Sequence, residues 1–365
     1  MPLYMDRHNS LNATAKSLAE AHQLDIAIQG KYSCKALTYW YDEGKQIAFC
    51  LIEAPDKKAV EEMHRNSHGL VPHQIIEVQS NLVEYFLGRI SDPKNSTSEE
   101  QFINETAFRS IMYINCNCFS DNSDETNKKY SGVNEILNSI IRPANKEFNG
   151  TEVKINDDGF MVSFTSVKKS IKCALKIQSS INKFNENKKG TRINVSIGLS
   201  TGYPVTDKED LFGETILLAK RLCMMTEKGV ITLSSAYKNE LEAEMQSQRS
   251  SIRIVTRTEE DFLKNLMEMI EQVWDNAEAN LDDFSKKLGY SKAQLYRKTI
   301  SLTGTSPNNF LRNYRLNKAL KLIEQKNFNI SEIAYESGFS SPSYFAKCFQ
   351  KKFGVLPSDF ANSVV

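Results

Sequence analysis

No run of about 18 consecutive apolar residues occurs anywhere in the 365-residue chain, so the sequence offers no membrane-spanning helix. The first residues, Met1-Pro2-Leu3-Tyr4-Met5-Asp6, lack a basic cluster followed by an apolar core. No signal peptide is therefore expected, and a cytoplasmic location is. Cysteine is sparse: seven residues, odd in number and scattered, which argues against a disulfide framework and for a reducing compartment. Cys116-Asn117-Cys118 is too tightly spaced for a CxxC metal knuckle and reads as strand. Histidine is absent beyond position 73; all five lie before it, at His8, His22, His64, His68 and His73. The formal net charge is only +1, but the charges are segregated. Residues 281–352 carry 13 Lys/Arg against 5 Asp/Glu, a net of +8, whereas residues 1–92 carry 9 against 12, a net of −3. A local basic region suits a polyanion-binding module attached to domains that do not bind polyanions. With 40% hydrophobic and 25% charged residues, a chain this long is expected to fold as two or three ordinary domains.

The chain is organised around Asn329–Phe345. Asn329 is placed to cap a helix, and Glu332, three residues on, completes a capping box. Gly338 falls where a tight turn needs a residue tolerant of positive φ. Ser341-Pro342 restarts a helix, with serine at the cap and proline at the first helical position. Phe345, Phe349 and Phe353 then share one face, leaving Lys347, Lys351 and Lys352 elsewhere on the surface. A helix that docks by an apolar face and keeps a basic one free is built to read DNA.

Residues 1–88 read as a first domain. Short strands are expected at Leu3–Arg7, Leu37–Tyr41, Ile47–Glu53 and Gln74–Val78, with helices over Thr14–Gln29 (ended by Gly30) and from Pro55-Asp56 to about His68 (closed by Gly69). This β-α-β-β-α-β order predicts a ferredoxin-like α+β sandwich. His64 and His68 stand i, i+4 on one helix and can face one metal ion. Imidazole suits Zn, Cu, Ni and Fe alike, so the spacing leaves the metal open; a chance gathering of surface histidines is the other reading. The segment also resembles small bacterial domains described as nickel-binding ferredoxin-like proteins. The resemblance rests on Met5-Asp6-Arg7-His8, Ala21-His22, Lys35–Trp40, Phe49–Pro55 and Met63–Leu70. It implies a homodimerising sandwich that binds a divalent metal, nickel among the choices. The ligands expected are His8, His64 and His68, with His22 next. Cys34 and Cys50 are expected to be packed rather than liganding.

Residues 89–108 are polar and read as a linker. Residues 109–240 read as an α/β domain, with strands at Ser110–Phe119, Glu152–Asn156, Gly159–Phe164, Arg192–Ser200 and Gly229–Ser234, and helices at Gly132–Phe148, Val167–Asn185 and Gly213–Thr226. The paired aspartates Asp157-Asp158 at a hairpin suit Mg²⁺ and a phosphate, and equally suit an ordinary turn. The order of these pieces resembles the class III adenylate/guanylate cyclase domain, through Glu152–Phe160, Val195–Gly202 and Asp210–Leu222. By that resemblance Lys154 and Asp210 select the purine, Asp158 holds metal and Arg221 stabilises the transition state. Two positions depart from it. Asn115 stands where the second metal-holding aspartate is expected, and an amide does not compensate divalent charge. Leu217 stands where a supporting asparagine is expected, and it cannot hydrogen-bond. These departures favour a domain that does not cyclise: a structural or dimerising remnant first, and a pseudo-enzyme that still binds a purine nucleotide second. A working nucleotide cyclase regulated by its flanking domains is the alternative.

Residues 241–258 show no clear periodicity. Residues 259–365 read as all-helical: a helix over Glu259–Asn276, a first helix-turn-helix over Leu281–Leu302, a long helix from Ser306-Pro307 to about Gln325, and the second helix-turn-helix already described. Two such units joined by one helix resemble the DNA-binding domain of AraC/XylS transcriptional regulators. The matching text is Ser291–Lys298, Leu302–Pro307, Ile333-Ala334, Gly338-Phe339, Ser343-Tyr344-Phe345, Phe349, Phe353-Gly354 and Pro357. One departure is Ala361, where an arginine often follows the aromatic. The two recognition helices are spaced for successive major grooves, about 34 Å apart. Lys292, Gln294, Arg297 and Lys298 in the first, and Ser343, Lys347 and Lys351 in the second, are the candidate contacts to double-stranded DNA. The expected protein is a transcription regulator whose first domains sense a metal ion or a purine nucleotide. The usual sugar-binding cupin of that family is not read here, so no carbohydrate effector is implied. Dimerisation is expected through the N-terminal or central domain.

Overall fold

The computed structural model describes residues 1–9, 12–93, 103, 105–120, 126–153, 159–187, 191–206, 209–225, 229–240, 250–279 and 281–363. The chain divides into two compact units, Met1–Ile111 with Asn149–Ser170 and Ser200–Leu217, and Met112–Phe148 with Ile171–Leu199 and Leu218–Val365.

In the first unit, β1 (Leu3–Asn9), α1 (Ala15–Ile28), β2 (Lys35–Asp42), β3 (Ile47–Glu53), α2 (Lys57–Ser67) and β4 (Gln74–Val78) follow one another. The sheet order is β2-β3-β1-β4 with antiparallel neighbours, the ferredoxin-like sandwich expected. Local chemistry sets the helix starts. Thr14 and Ser17 form a reciprocal capping box on α1, and Asp56 accepts from Ala59 N at the start of α2. Gly30 does not end α1; it lies in a 3-10 turn over Gln29–Tyr32, and Ser33 takes the left-handed conformation instead. A further helix, α3 (Ser80–Leu87), buries Val83, Phe86 and Leu87. It escapes a pattern reading because it is short and no side chain caps it. The polar stretch read as a linker begins as part of the sandwich. Arg89 lies 4.3 Å over the Trp40 ring and donates to Tyr39 O at 2.6 Å, a role that composition does not register.

The chain continues as β5 (Arg109–Ser120), α4 (Thr126–Glu147), β6 (Thr151–Val153), β7 (Phe160–Phe164), α5 (Val167–Asn187), β8 (Thr191–Gly202), α6 (Gly213–Met225), β9 (Ile231–Leu233) and β10 (Ile252–Ile254). These strands form a sheet in the order β10-β9-β8-β5-β7-β6. β6 and β7 are antiparallel; β8, β9 and β10 run parallel. β10 lies in the stretch read as aperiodic: three residues are too few to show alternation. Gly198 on β8 lets the backbone of α6 come close, since a Cβ there would overlap Ala219 O and Cys223 N.

Within the second unit, α7 (Arg257–Val273), α8 (Leu281–Lys287), α9 (Lys292–Thr303), α10 (Pro307–Gln325), α11 (Ile330–Glu336), α12 (Pro342–Phe353) and α13 (Pro357–Ser363) complete the chain. Capping boxes start α7, α9 and α11, at Thr256/Glu259, Ser291/Gln294 and Asn329/Glu332. Gly338 has φ +76 at the turn between α11 and α12, so a residue without Cβ is required there. Two cores underlie this region. Phe262, Leu266, Ile270, Phe284, Leu295, Leu302 and Phe310 pack together with Leu222 and Met225 of α6. Leu316, Ile323, Ile333, Phe339, Phe345 and Phe349 form the other.

Candidate metal centre and nucleic-acid interface

β1 alternates, so Asp6 and His8 point to the same face of the first sheet. Asp6 lies directly across from Cys50 on β3, and His8 across from Ala48. Helix α2 brings His64 and His68 over that face, and α1 brings Asp25. Asp6, His8, Asp25 and His64 are all at most 5% exposed. His64 Nε2 is 2.8 Å from Asp6 Oδ2, while its Nδ1 is 3.1 Å from Asp25 Oδ2. His68 Nε2 lies 3.0 Å from His64 Nδ1 and 3.3 Å from Asp25 Oδ2. His8 Nε2 is 3.2 Å from Asp6 Oδ1 but lacks hydrogen-bond geometry, leaving a buried ring nitrogen without a hydrogen-bond partner.

Charge is balanced inside this cluster. Burial alone would raise the Asp6 carboxyl, but His8 and His64 outweigh it and hold the group well below the usual carboxylate range. Asp25 is held low in the same way by His64 and His68. Burial alone would lower His64; the two carboxylates reverse that and push it up to about 10. Burial, and then Asp6, raise the Cys50 thiol well above its ordinary value.

Two donor sets result: Asp6, His8, Cys50 and His64, and Asp25, His64 and His68. Within each set the ligand atoms lie within 4.8 Å of one another. Ligands of one ion at about 2.0–2.3 Å must lie within roughly 4.6 Å of one another, so small side-chain adjustments suffice. The His8 nitrogen, which makes no hydrogen bond, and the mixed N, O and S donors fit a divalent transition metal. Binding must displace a proton from His64 and, if Cys50 ligates, from its thiol.

Of the four expected histidines, the structure gathers His8, His64 and His68. His22 stands apart: its Nε2 is 3.1 Å from Asp92 Oδ2, and its ring lies against Tyr39. It still lines, with His8, Asp25, Cys50 and His68, a cavity of about 20 Å³, room for one water-sized occupant. His73 accepts from Asn9 N at 3.3 Å, away from the cluster. Asp6, Asp25 and Cys50 were not among the sequence candidates. The Asp6-x-His8 spacing on a strand is the signal that points to Asp6, whereas nothing local marks Asp25.

In the second unit, Lys292, Gln294 and Arg297 on α9 are exposed, as are Ser343, Lys347 and Lys351 on α12. Gln294 Oε1 is already engaged by Ser291 N at 2.9 Å, in the capping box. Lys298 is half-buried over the Phe262 and Tyr290 rings. Leu295, Phe345 and Phe349 are core, which keeps each basic face outward. Tyr296 (51% exposed) and Tyr344 (49%) flank the candidate contacts, and Arg312 of α10 donates to Tyr344 Oη at 3.4 Å. Part of the net positive charge is spent internally: Arg315 donates to Trp274 O and Asn276 O, at 2.7 and 2.6 Å.

Of the four nucleotide candidates, Lys154 and Asp158 lie outside the described residues. Asp210 is exposed. Arg221 is 4% exposed, with Nη2 3.4 Å from Glu271 Oε2 and Nη1 3.9 Å from Glu268 Oε1. Asn115 and Leu217 are both half-buried. Among the described residues no helix is long and apolar enough to cross a membrane.

Three family models match the chain: "Helix-turn-helix domain" over residues 284–363, "Nickel responsive protein SCO4226-like" over residues 4–78, and "Adenylate and Guanylate cyclase catalytic domain" over residues 107–265. Histidine kinase P4 of Formosa agariphila is 39% identical over 108 residues, 30% of this chain and 8% of that protein. This chain therefore spans a small part of that relative's length. The probable transcription factor PqrA of Proteus vulgaris is 31% identical over 105 residues, 28% of this chain and 86% of that protein. Among solved structures, SCO4226 of Streptomyces coelicolor A3(2) is 30% identical, covering 21% of this chain and 94% of its own, at a TM-score of 0.20.

Proposed function

We propose, for a chain that belongs to the AraC/XylS family through its C-terminal helix-turn-helix domain, that it is a transcription regulator controlled by a divalent metal bound in its N-terminal domain. The observation that carries the metal reading is the cluster of buried Asp6, His8 and His64 with half-buried Cys50 and His68, the His8 nitrogen lacking a hydrogen bond. His8, His64 and the Asp6 carboxylate would hold the ion, with Cys50 or the Asp25–His68 side completing its set. A bound ion would replace the His64 proton as the charge that balances Asp6 and Asp25. Nickel is the metal favoured, because residues 4–78 match a family described as nickel responsive. Double-stranded DNA is the partner, read by Lys292, Arg297 and the exposed face of α12. A dimer formed through the N-terminal or central domain belongs to the same reading.

The central domain is read as a cyclase relative that does not cyclise. Asn115 and Leu217 occupy catalytic positions, and the Arg221 guanidinium is held by Glu268 and Glu271. A purine nucleotide is the second candidate effector, through Lys154, Asp158, Asp210 and Arg221.

The test is selection of genomic binding sites by the full-length protein, repeated with Ni²⁺, with Zn²⁺ and with ATP or GTP. The reading expects a defined operator and an affinity that changes with one metal. Operator affinity indifferent to every metal, despite tight metal binding, would leave a DNA-binding protein whose histidine cluster only stores the ion.

A further inference from the structure

One side chain joins the edge of the cyclase-like sheet to the first recognition helix. Arg253 lies on β10, whose residues pair in parallel with β9. Its Nη1 donates to Leu302 O and its Nη2 to Ser301 O, each at 2.9 Å. Those carbonyls belong to the last turn of α9. A helix ends with four carbonyls lacking intrahelical partners, and carries partial negative charge there. On α9, Gly304 N satisfies Ile300 O, and the Arg253 fork takes the next two. Glu259 Oε1 accepts from the same Nη2 at 3.0 Å, and Glu259 Oε2 from Thr256 N at 2.7 Å. The guanidinium is thus held between β10, the start of α7 and the end of α9, with 27% of its side chain exposed.

The cores divide along the same line. Leu222 and Met225 of α6, and Val255 just after β10, share one core with Leu295 and Leu302 of α9. The second recognition helix, α12, buries Phe345 and Phe349 in a separate core with residues of α10 and α11. A helix of 12 residues is about 18 Å long. Holding its C-terminal end therefore sets where its N-terminal residues, Lys292 to Arg297, fall in a groove.

We propose that Arg253 is a positioning residue for DNA reading: it fixes the first recognition helix to the cyclase-like sheet, so that this half-site, and not the one read by α12, answers to the central domain. This rests on the reading of α9 and α12 as the two DNA-reading helices. The recognised chemistry is the pair of helix-end carbonyls, which a planar guanidinium bridges and an ammonium meets with less directional geometry.

The test is hydroxyl-radical footprinting of the full-length protein on its selected operator. Arg297→Ala identifies the half-site read by α9. Arg253→Gln is expected to raise the concentration needed to protect that half-site roughly five- to tenfold, the scale of losing charge-assisted hydrogen bonds. Protection of the other half-site should shift less than about twofold. Arg253→Lys, which keeps the charge, should recover part of the loss, and it replaces the glutamine variant if that one fails to fold. Equal weakening of both half-sites, or no change at either, overturns the proposal. If Arg297→Ala changes neither half-site, the reading of α9 as a DNA-contacting helix has failed, and this proposal fails with it.

Discussion

Arg221 Nη2 and Glu271 Oε2 lie 3.4 Å apart, which joins the end of α6 to α7. With Nη1 3.9 Å from Glu268 Oε1 as well, a phosphate would meet this arginine in competition with two carboxylates. By the resemblance to class III cyclases, Asn115 and Leu217 stand where a metal-holding aspartate and a supporting asparagine are expected. Purified protein given ATP or GTP with Mg²⁺ or Mn²⁺ is therefore expected to form no cyclic nucleotide. Product made by the unaltered chain, and lost in Asp158→Ala, is the result that reverses this. Arg221→Met should instead act on stability, lowering it by about 1–3 kcal/mol in chemical denaturation, since Glu268 and Glu271 lose their cation but stay partly solvated.

The histidine cluster makes a different kind of prediction. His64→Ala leaves Asp6 and Asp25 buried and without their shared cation, so about 3–5 kcal/mol of stability should be lost whether or not metal is present. That variant alone cannot separate a metal ligand from a structural one. His8→Ala separates them better, because His8 Nε2 makes no hydrogen bond and faces one carboxylate, Asp6, where His64 bridges two. It should destabilise the metal-free protein less than His64→Ala does, because His64 still pairs with both carboxylates, and lower the metal retained, read by elemental analysis after dialysis. Unchanged metal content in both His8→Ala and His68→Ala would remove these residues from the site.

What the sequence made legible follows from the range of the interactions. Capping pairs such as Asn329/Glu332 and Ser291/Gln294 act over three residues, so the helix starts of the DNA-binding region could be read directly. The i, i+4 pair His64/His68 is equally local. Asp25, by contrast, reaches His64 only because α1 packs beside α2, and no spacing along the chain announces it. β10 and the Arg253 fork were illegible for the same reason: the strand is three residues long, and its partners are about fifty residues away. Composition also misled in one respect. The net charge of residues 281–352 counts Arg315 and Lys352, which are spent on oxygens inside the fold.

Lys352 carries the pH prediction. It donates to Asn313 O at 2.7 Å and Asn317 Oδ1 at 2.5 Å, between α12 and α10. Burial pushes its amine down to about 7 from an ordinary 10.5. A base with a lowered folded pKa binds fewer protons folded than unfolded between those values. Stability should therefore rise with pH from about 7 toward 10.5, at no more than about 1.4 kcal/mol per unit. The two oxygens favour the charged form and will reduce that slope. Urea denaturation at several pH values in this window, compared with Lys352→Met, isolates the effect: the variant should lack the rise. An identical slope in both proteins assigns the pH dependence elsewhere.

Arg297 and Gln294 sit three residues apart on α9, both exposed, and should nevertheless fail differently when replaced. Gln294 Oε1 accepts from Ser291 N at 2.9 Å, so the side chain closes the capping box before it meets any base. Gln294→Ala should cost about 0.5–2 kcal/mol of stability, as lost caps do, and weaken binding to all sequences alike. No capping role engages Arg297, and its planar fork matches the two acceptors of a guanine in the major groove. Arg297→Ala should leave stability within about 0.5 kcal/mol and cost about 1–3 kcal/mol of binding at one base position only. Competition binding against operators altered one base at a time distinguishes the two. A flat loss across all positions would make Arg297 a phosphate contact, and a loss confined to one position in Gln294→Ala would show that its free amide NH₂ reads a base while its oxygen holds the cap.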